Sequence, residues 1–162
     1  MIKVGDRLPE AEFFVMGEEG KQTRAASDVF AGRKVVLFGL PGAFTPTCHR
    51  NHLPGYLNSI DGLHALGVAE VAVVAVNDVF VMDAWSQASN AKGKITFLAD
   101  GNADFARATG LDIDLSAGGM GIRCKRFSMI VDDGVVTHFN LEDNPGVAEK
   151  SGASVIIEQL QG

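Results

Sequence analysis

Apolar residues along this chain fall in short runs separated by amphipathic stretches, and the alternation predicts strands and helices in turn. Lys34–Leu40 is a mainly apolar run with β-branched Val35 and Val36 and stops at Pro41-Gly42, the pattern of a strand buried on both faces. Val71–Val76 repeats it, and Ile95–Leu98 is a shorter run of the same kind. Phe127–Val131 and Val135–Phe139 flank Asp132-Asp133-Gly134, and Asp-Gly between apolar runs is a strong hairpin signal. The spacing between strands predicts a helix over Thr47–Leu66, ending at Gly67 and bending near Pro54-Gly55. Further helices are predicted over Val79–Ala91 behind Asn77-Asp78, over Ala103–Thr109 closed by Gly110, and over Ala153–Leu160 capped by Ser151.

This order is that of an α/β protein with a largely parallel sheet. It matches a thioredoxin-like fold with an inserted strand–helix unit, and the stretch before Lys34 reads as an N-terminal hairpin extension. The chain has 162 residues and no repeat or linker, so one domain over residues 1–162 is expected. Hydrophobic residues make up 46 % and charged residues 21 %, the balance of a globular protein. A net charge of −6 without a basic stripe argues against a nucleic-acid partner. No apolar run approaches the roughly 18 residues of a membrane span. The N-terminus lacks the apolar core of a secretory signal, and the cytoplasm is the expected location.

The two cysteines, Cys48 and Cys124, are too few for a disulfide scaffold. Each is a small core hydrophobe or a reactive thiol. Cys48 falls where the strand ending at Leu40 hands over to a helix, an edge at which α/β sheets bind ligands. Free N–H groups and the dipole at a helix start favour an anion there. A thiol so placed shifts toward the nucleophilic thiolate without metal or cofactor. Thr45 lies one turn earlier, and its hydroxyl can both donate and accept toward a substrate oxygen. Pro41 and Pro46 stiffen the loop. Thr45-Pro46-Thr47-Cys48 stands where a thiol–disulfide oxidoreductase has Cys-x-x-Cys, which disfavours that activity.

Pro41-Gly42-Ala43-Phe44-Thr45-Pro46-Thr47-Cys48, followed by His52-Leu53-Pro54-Gly55-Tyr56, resembles the active-site segment of the type II, atypical (peroxiredoxin-5) subfamily of peroxiredoxins. Lys3–Asp6, Val35–Gly39, Val76-Asn77-Asp78 with Trp85, Leu98-Ala99-Asp100 and Lys125–Met129 resemble the same family, so the likeness spans nearly the whole chain. It implies a thiol peroxidase with Cys48 as peroxidatic cysteine, Thr45 and Pro41 as its motif partners, and Arg126 completing the site. A guanidinium beside the sulfur stabilises the thiolate and donates to the peroxide. Attack on the terminal peroxide oxygen would leave a sulfenic acid, to be resolved by a thiol. The family also implies a homodimer.

Resolution is the open step. Neither resolving-cysteine pattern known in the family is present, since Val71–Val76 and Glu142–Gly162 hold no cysteine. Strand alternation would point Cys124 the same way as Arg126. A structural thiol is nevertheless the favoured reading of Cys124, with glutathione, glutaredoxin or thioredoxin as external reductant. The competing function is a redox-sensing or holdase protein switched by Cys48 oxidation. His52 is expected to orient the helix start or pack, and His49, Arg123 and Lys125 are expected in solvent. The spacing of Cys48, His49 and His52 does not make a zinc site, which needs four ligands. Phe44 is placed beside the site, either in the peroxide pocket or at a subunit contact. Gly118–Gly121 is read as a mobile loop beside Arg126.

Overall fold

A computed structural model describes all 162 residues. An N-terminal hairpin, β1 (Glu12–Gly17) and β2 (Gly20–Ala25), precedes a short α1 (Ala26–Phe30) and β3 (Lys34–Gly39). A π-helical turn over Cys48–His52 leads into α2 (Leu53–Asn58) and α3 (Ile60–Ala65). Then come β4 (Glu70–Ala75), α4 (Val79–Ala88), β5 (Thr96–Ala99) and α5 (Asp104–Thr109). A small hairpin of β6 (Asp112–Asp114) and β7 (Ile122–Cys124) precedes β8 (Phe127–Asp132), β9 (Val135–Leu141) and α6 (Ala153–Gln161).

Seven strands form one sheet in the order β2-β1-β5-β4-β3-β8-β9, with β6 and β7 paired separately. β3 sits inside it, parallel to β4 and antiparallel to β8. Its residues alternate between two core layers: Val36, Phe38 and Leu40 face one, Val35 and Leu37 the other. Burial on both faces is why the run is continuously apolar. The turn of the β8–β9 hairpin puts Asp133 at φ 49° and Gly134 at φ 78°, the left-handed pair that Asp-Gly supplies. No helix is long and apolar enough to cross a membrane.

The thioredoxin-like α/β architecture and the N-terminal hairpin are as expected; the largely parallel sheet is not, since only β3–β4 and β4–β5 pair in parallel, and neither is the long helix. Pro54 has no amide hydrogen, and its ring crowds the carbonyl four residues back, at Arg50. The helix adapts one turn earlier by widening: the Leu53 N–H reaches back five residues to the Cys48 carbonyl. The break comes only at Ser59 (φ −103°, ψ 3°), between α2 and α3. Two further expectations change. α4 stops at Ala88 rather than Ala91. Ser151 does not cap α6; its hydroxyl donates to Glu142 instead.

Candidate active site

The site lies where β3 ends. Cys48 opens the π turn and is fully buried. The N–H of His49 donates to the Thr45 carbonyl at 2.8 Å, closing the first turn of the helix around the cysteine. Thr45 Oγ1 donates to the Gly42 carbonyl at 2.7 Å, so the hydroxyl proton is committed and its lone pairs are left to accept. Thr47 Oγ1 donates to the Gly146 carbonyl at 2.8 Å and ties the turn to the loop between β9 and α6.

Arg126 arrives from the link between β7 and β8 and is 2 % exposed. Its Nη2 donates to Cys48 Sγ at 2.8 Å, its Nε to the Pro145 carbonyl at 2.8 Å, and its Nη1 to His52 Nδ1 at 2.9 Å. No carboxylate lies within ion-pair distance of this guanidinium. Burial of an always-charged group without a counter-ion is costly, so the sulfur is the one partner here that can become an anion.

His52 has a defined state. Nδ1 accepts from Arg126, which leaves Nε2–H to donate to the Ser151 carbonyl at 3.0 Å. Burial, and secondly the Arg126 charge, push its pKa down to about 3 despite that carbonyl. It is a neutral orienting group. The Ser151 carbonyl also accepts from Tyr56 at 2.7 Å, and Ser151 N–H and Oγ both donate to Glu142. The β9–α6 loop is thus fastened to the site through the carbonyls of Pro145, Gly146 and Ser151.

Arg126 is brought onto Cys48 by a direct bond, while Thr45 and Pro41 lie in the loop that leads from β3 to the cysteine. Three neighbouring expectations are corrected. Cys124 does not point with Arg126: Lys125-Arg126 lies outside both flanking strands, so alternation is broken. Cys124 is buried in the core layer opposite that of Cys48, and burial pushes its thiol well above the usual range, helped by the Asp100 charge. His49 is half-buried, not in solvent, because Trp85 Nε1 donates to its Nδ1 at 3.0 Å. Arg123 is half-buried and donates to the carbonyls of Met120 and Pro41. The glycine loop connects to the site through Arg123, whose Nε donates to the Met120 carbonyl.

Phe44 is 47 % exposed, sits at φ 64°, and packs against His49 and Trp85 with ring centroids 5.6 and 6.4 Å away. Asn77, given no site role from sequence, accepts from the Ala43 N–H at 2.9 Å and braces the loop from its other side. Glu142 and Ser151 were also missed, since nothing in their local pattern marks a buried carboxylate–hydroxyl pair. A crevice of about 380 Å³ between Pro46–Asn51 and Gly146–Glu149 adjoins the turn that carries Cys48.

Residues 3–156 match the Redoxin family. Peroxiredoxin-2C of Oryza sativa subsp. japonica is 43 % identical over 160 residues, covering 98 % of each chain. Reduced Prx3 from Vibrio vulnificus, solved in complex with H2O2, superposes with a TM-score of 0.94 at 48 % identity, over 99 % of each chain. Peroxiredoxin 5 from Alvinella pompejana superposes at 0.87 with 33 % identity, again over 99 % of each. A buried sulfur held by an uncompensated guanidinium at the head of a helix, on this fold and with these likenesses, makes the chain a member of the peroxiredoxin family of thiol peroxidases.

Proposed function

We propose that Cys48 is the peroxidatic nucleophile, and that the protein reduces hydrogen peroxide and organic hydroperoxides in a one-cysteine cycle driven by glutathione, directly or through glutaredoxin. The observation that carries this is the Arg126 Nη2 to Cys48 Sγ bond of 2.8 Å on a guanidinium with no acidic partner. The Cys48 thiolate attacks the terminal oxygen of the peroxide. The O–O bond breaks, and water or an alcohol leaves after taking up a proton. Arg126 donates to the peroxide as charge moves onto the leaving oxygen, a place where a preorganised donor is most effective. Thr45, its own proton already given to Gly42, accepts the peroxide O–H. Pro41 closes the strand and excludes water.

Cys48 is left as sulfenic acid. One glutathione thiol condenses with it, releasing water and forming a mixed disulfide; a second displaces the thiolate and leaves as oxidised glutathione. An external thiol is favoured over Cys124 because Cys124 lies in the opposite core layer. Thioredoxin is the alternative reductant. The V. vulnificus protein solved with H2O2 supports hydrogen peroxide as a substrate here by likeness alone. A homodimer in the cytoplasm completes the reading; the exposed Phe44 beside the site is a fitting subunit contact.

The test is coupled turnover with stopped-flow oxidation. Rapid oxidation of Cys48 and sustained turnover with glutathione and glutaredoxin are expected, and Cys48→Ser should abolish both. Oxidation in a single slow turnover, with no reductant restoring the thiol, would instead favour the sensor reading.

A further inference from the structure

Arg123 is the one strongly placed group that this mechanism leaves unused. It projects from β7, paired across the small hairpin with Ile113. Its Nη1 donates to the Pro41 carbonyl at 3.1 Å and its Nε to the Met120 carbonyl at 2.9 Å. No carboxylate pairs with it. The approach is close: a Cβ added at Gly42 would lie 2.4 Å from this Nη1, so the guanidinium occupies the space that any larger residue would need.

The loop it touches holds itself by one short bond, from the Thr45 hydroxyl to the Gly42 carbonyl at 2.7 Å. Its internal backbone bond, Thr45 N–H to the Gly42 carbonyl, is long at 3.4 Å. Phe44 adopts φ 64°, a left-handed conformation that a side chain of this size seldom takes and that persists only where the surroundings over-determine it. The remaining restraints on its first residues come from outside: Asn77 accepts from the Ala43 N–H and Arg123 donates to the Pro41 carbonyl. Thr45, the acceptor for the peroxide, follows two residues after the Ala43 anchor, across Phe44.

We infer that Arg123 is a positioning residue of the peroxide site, which through the Pro41 carbonyl and the space above Gly42 sets where Thr45 stands relative to the Cys48 sulfur. It acts on geometry, whereas Arg126 acts on charge at the sulfur. The inference rests on the peroxidase reading but is independent of the reductant.

The experiment is stopped-flow oxidation of Arg123→Ala, Arg123→Lys, Gly42→Ala and the Gly42→Ala/Arg123→Ala double variant, alongside the ultraviolet thiolate absorbance of Cys48. Arg123→Ala is expected to slow oxidation by about ten- to a hundredfold, the scale of an ångström misplacement, with the thiolate absorbance unchanged. Added guanidinium should restore part of the rate, and Arg123→Lys should fall between. Gly42→Ala should slow the parent protein but have little effect once Arg123 is gone, because both changes break one contact. An unchanged rate in Arg123→Ala, additive effects in the double variant, or a rate loss that follows loss of thiolate would each overturn the inference. Should Arg123→Ala not fold, an unchanged rate in Gly42→Ala overturns it alone. If the parent shows no Cys48-dependent oxidation, the peroxidase reading fails instead.

Discussion

Two clusters of buried or half-buried arginine face opposite fates in this molecule. At one, Glu70 accepts both Nη groups of Arg24, Nη1 of Arg33 and the Thr96 hydroxyl, joining the starts of β4 and β5 to β2. Burial alone would raise the Glu70 pKa, but these donors outweigh it and hold the carboxyl below its usual range. At the other, Arg126 is more deeply buried and meets a carbonyl, a neutral imidazole and a thiol sulfur, but no carboxylate. A cluster saturated in the resting protein has nothing left to offer a substrate. The unsaturated one keeps its charge available, and in the proposed mechanism it serves an anion that forms on the sulfur and moves onto oxygen.

The contrast is broken most sharply at Arg126. Arg126→Met should slow peroxide oxidation of Cys48 by about 10²–10³-fold, the usual loss when one preorganised donor is removed from a site of developing charge. Stability should move much less. The change removes the desolvation cost of a buried cation but strands the Pro145 carbonyl and His52 Nδ1, each worth about 1–3 kcal/mol, so the opposing effects leave unfolding within about 2 kcal/mol of the parent. Denaturant unfolding beside stopped-flow rates checks both halves, and a variant crippled equally in both would erase the distinction.

Glu70→Gln should invert that profile. It takes the anion from two half-buried guanidinium groups, and after discounting for solvent the cost should be about 1–3 kcal/mol of stability. The oxidation rate of Cys48 should be unaffected, since none of the Glu70 partners touches the site.

What the sequence made legible follows the same line. The strand over Lys34–Leu40 and the Asp133-Gly134 turn are local, because an apolar run and a left-handed pair announce themselves. Thr45 and Cys48 lie one helical turn apart, so their proximity was also a local fact. Arg126 was legible only through resemblance, since nothing local brings position 126 to position 48. Arg123 was misplaced because a charged residue in a short basic stretch is ordinarily solvated; its burial comes from the β6–β7 hairpin folding over Pro41 and Gly42. Cys124 was given the wrong direction because alternation holds only within one continuous strand, and the chain changes sheets at Lys125-Arg126.

The two clusters also differ in acid. The folded pKa of His52, about 3, lies below the ordinary histidine value of 6.5, so the folded protein binds fewer protons there than the unfolded chain. Its contribution to stability is complete above pH 6.5 and is lost as pH falls toward 3. The contribution of Glu70 persists until the pH falls below about 4.3, where an unperturbed glutamate begins to take up protons. His52→Gln offers an acceptor to Arg126 and a donor to Ser151 without titrating. Measured by urea unfolding across this range, it should remove the loss of stability between pH 6.5 and about 4.5 while leaving the steeper loss below it. A parent curve that is flat down to pH 4.5 would show that His52 is not the neutral partner of Arg126.

The smallest effect is expected at the other cysteine. Cys124 has no cationic neighbour donating to it; burial and the Asp100 charge both favour its neutral thiol. Its worth is then packing, and Cys124→Ala should cost about 1 kcal/mol of stability, the loss of one small buried group. Turnover with glutathione should stay within about twofold of the parent, because the reactive form of a cysteine is the thiolate and this environment suppresses it. Mass spectrometry after peroxide treatment should find Cys48 as sulfenic acid or as a mixed disulfide with glutathione, and Cys124 unmodified. A Cys48–Cys124 disulfide would require the loop from Lys125 to Phe127 and the end of β3 to part. Finding one, together with loss of turnover in Cys124→Ala, would move resolution inside the chain and make the two cysteines, so unlike at rest, partners in one cycle.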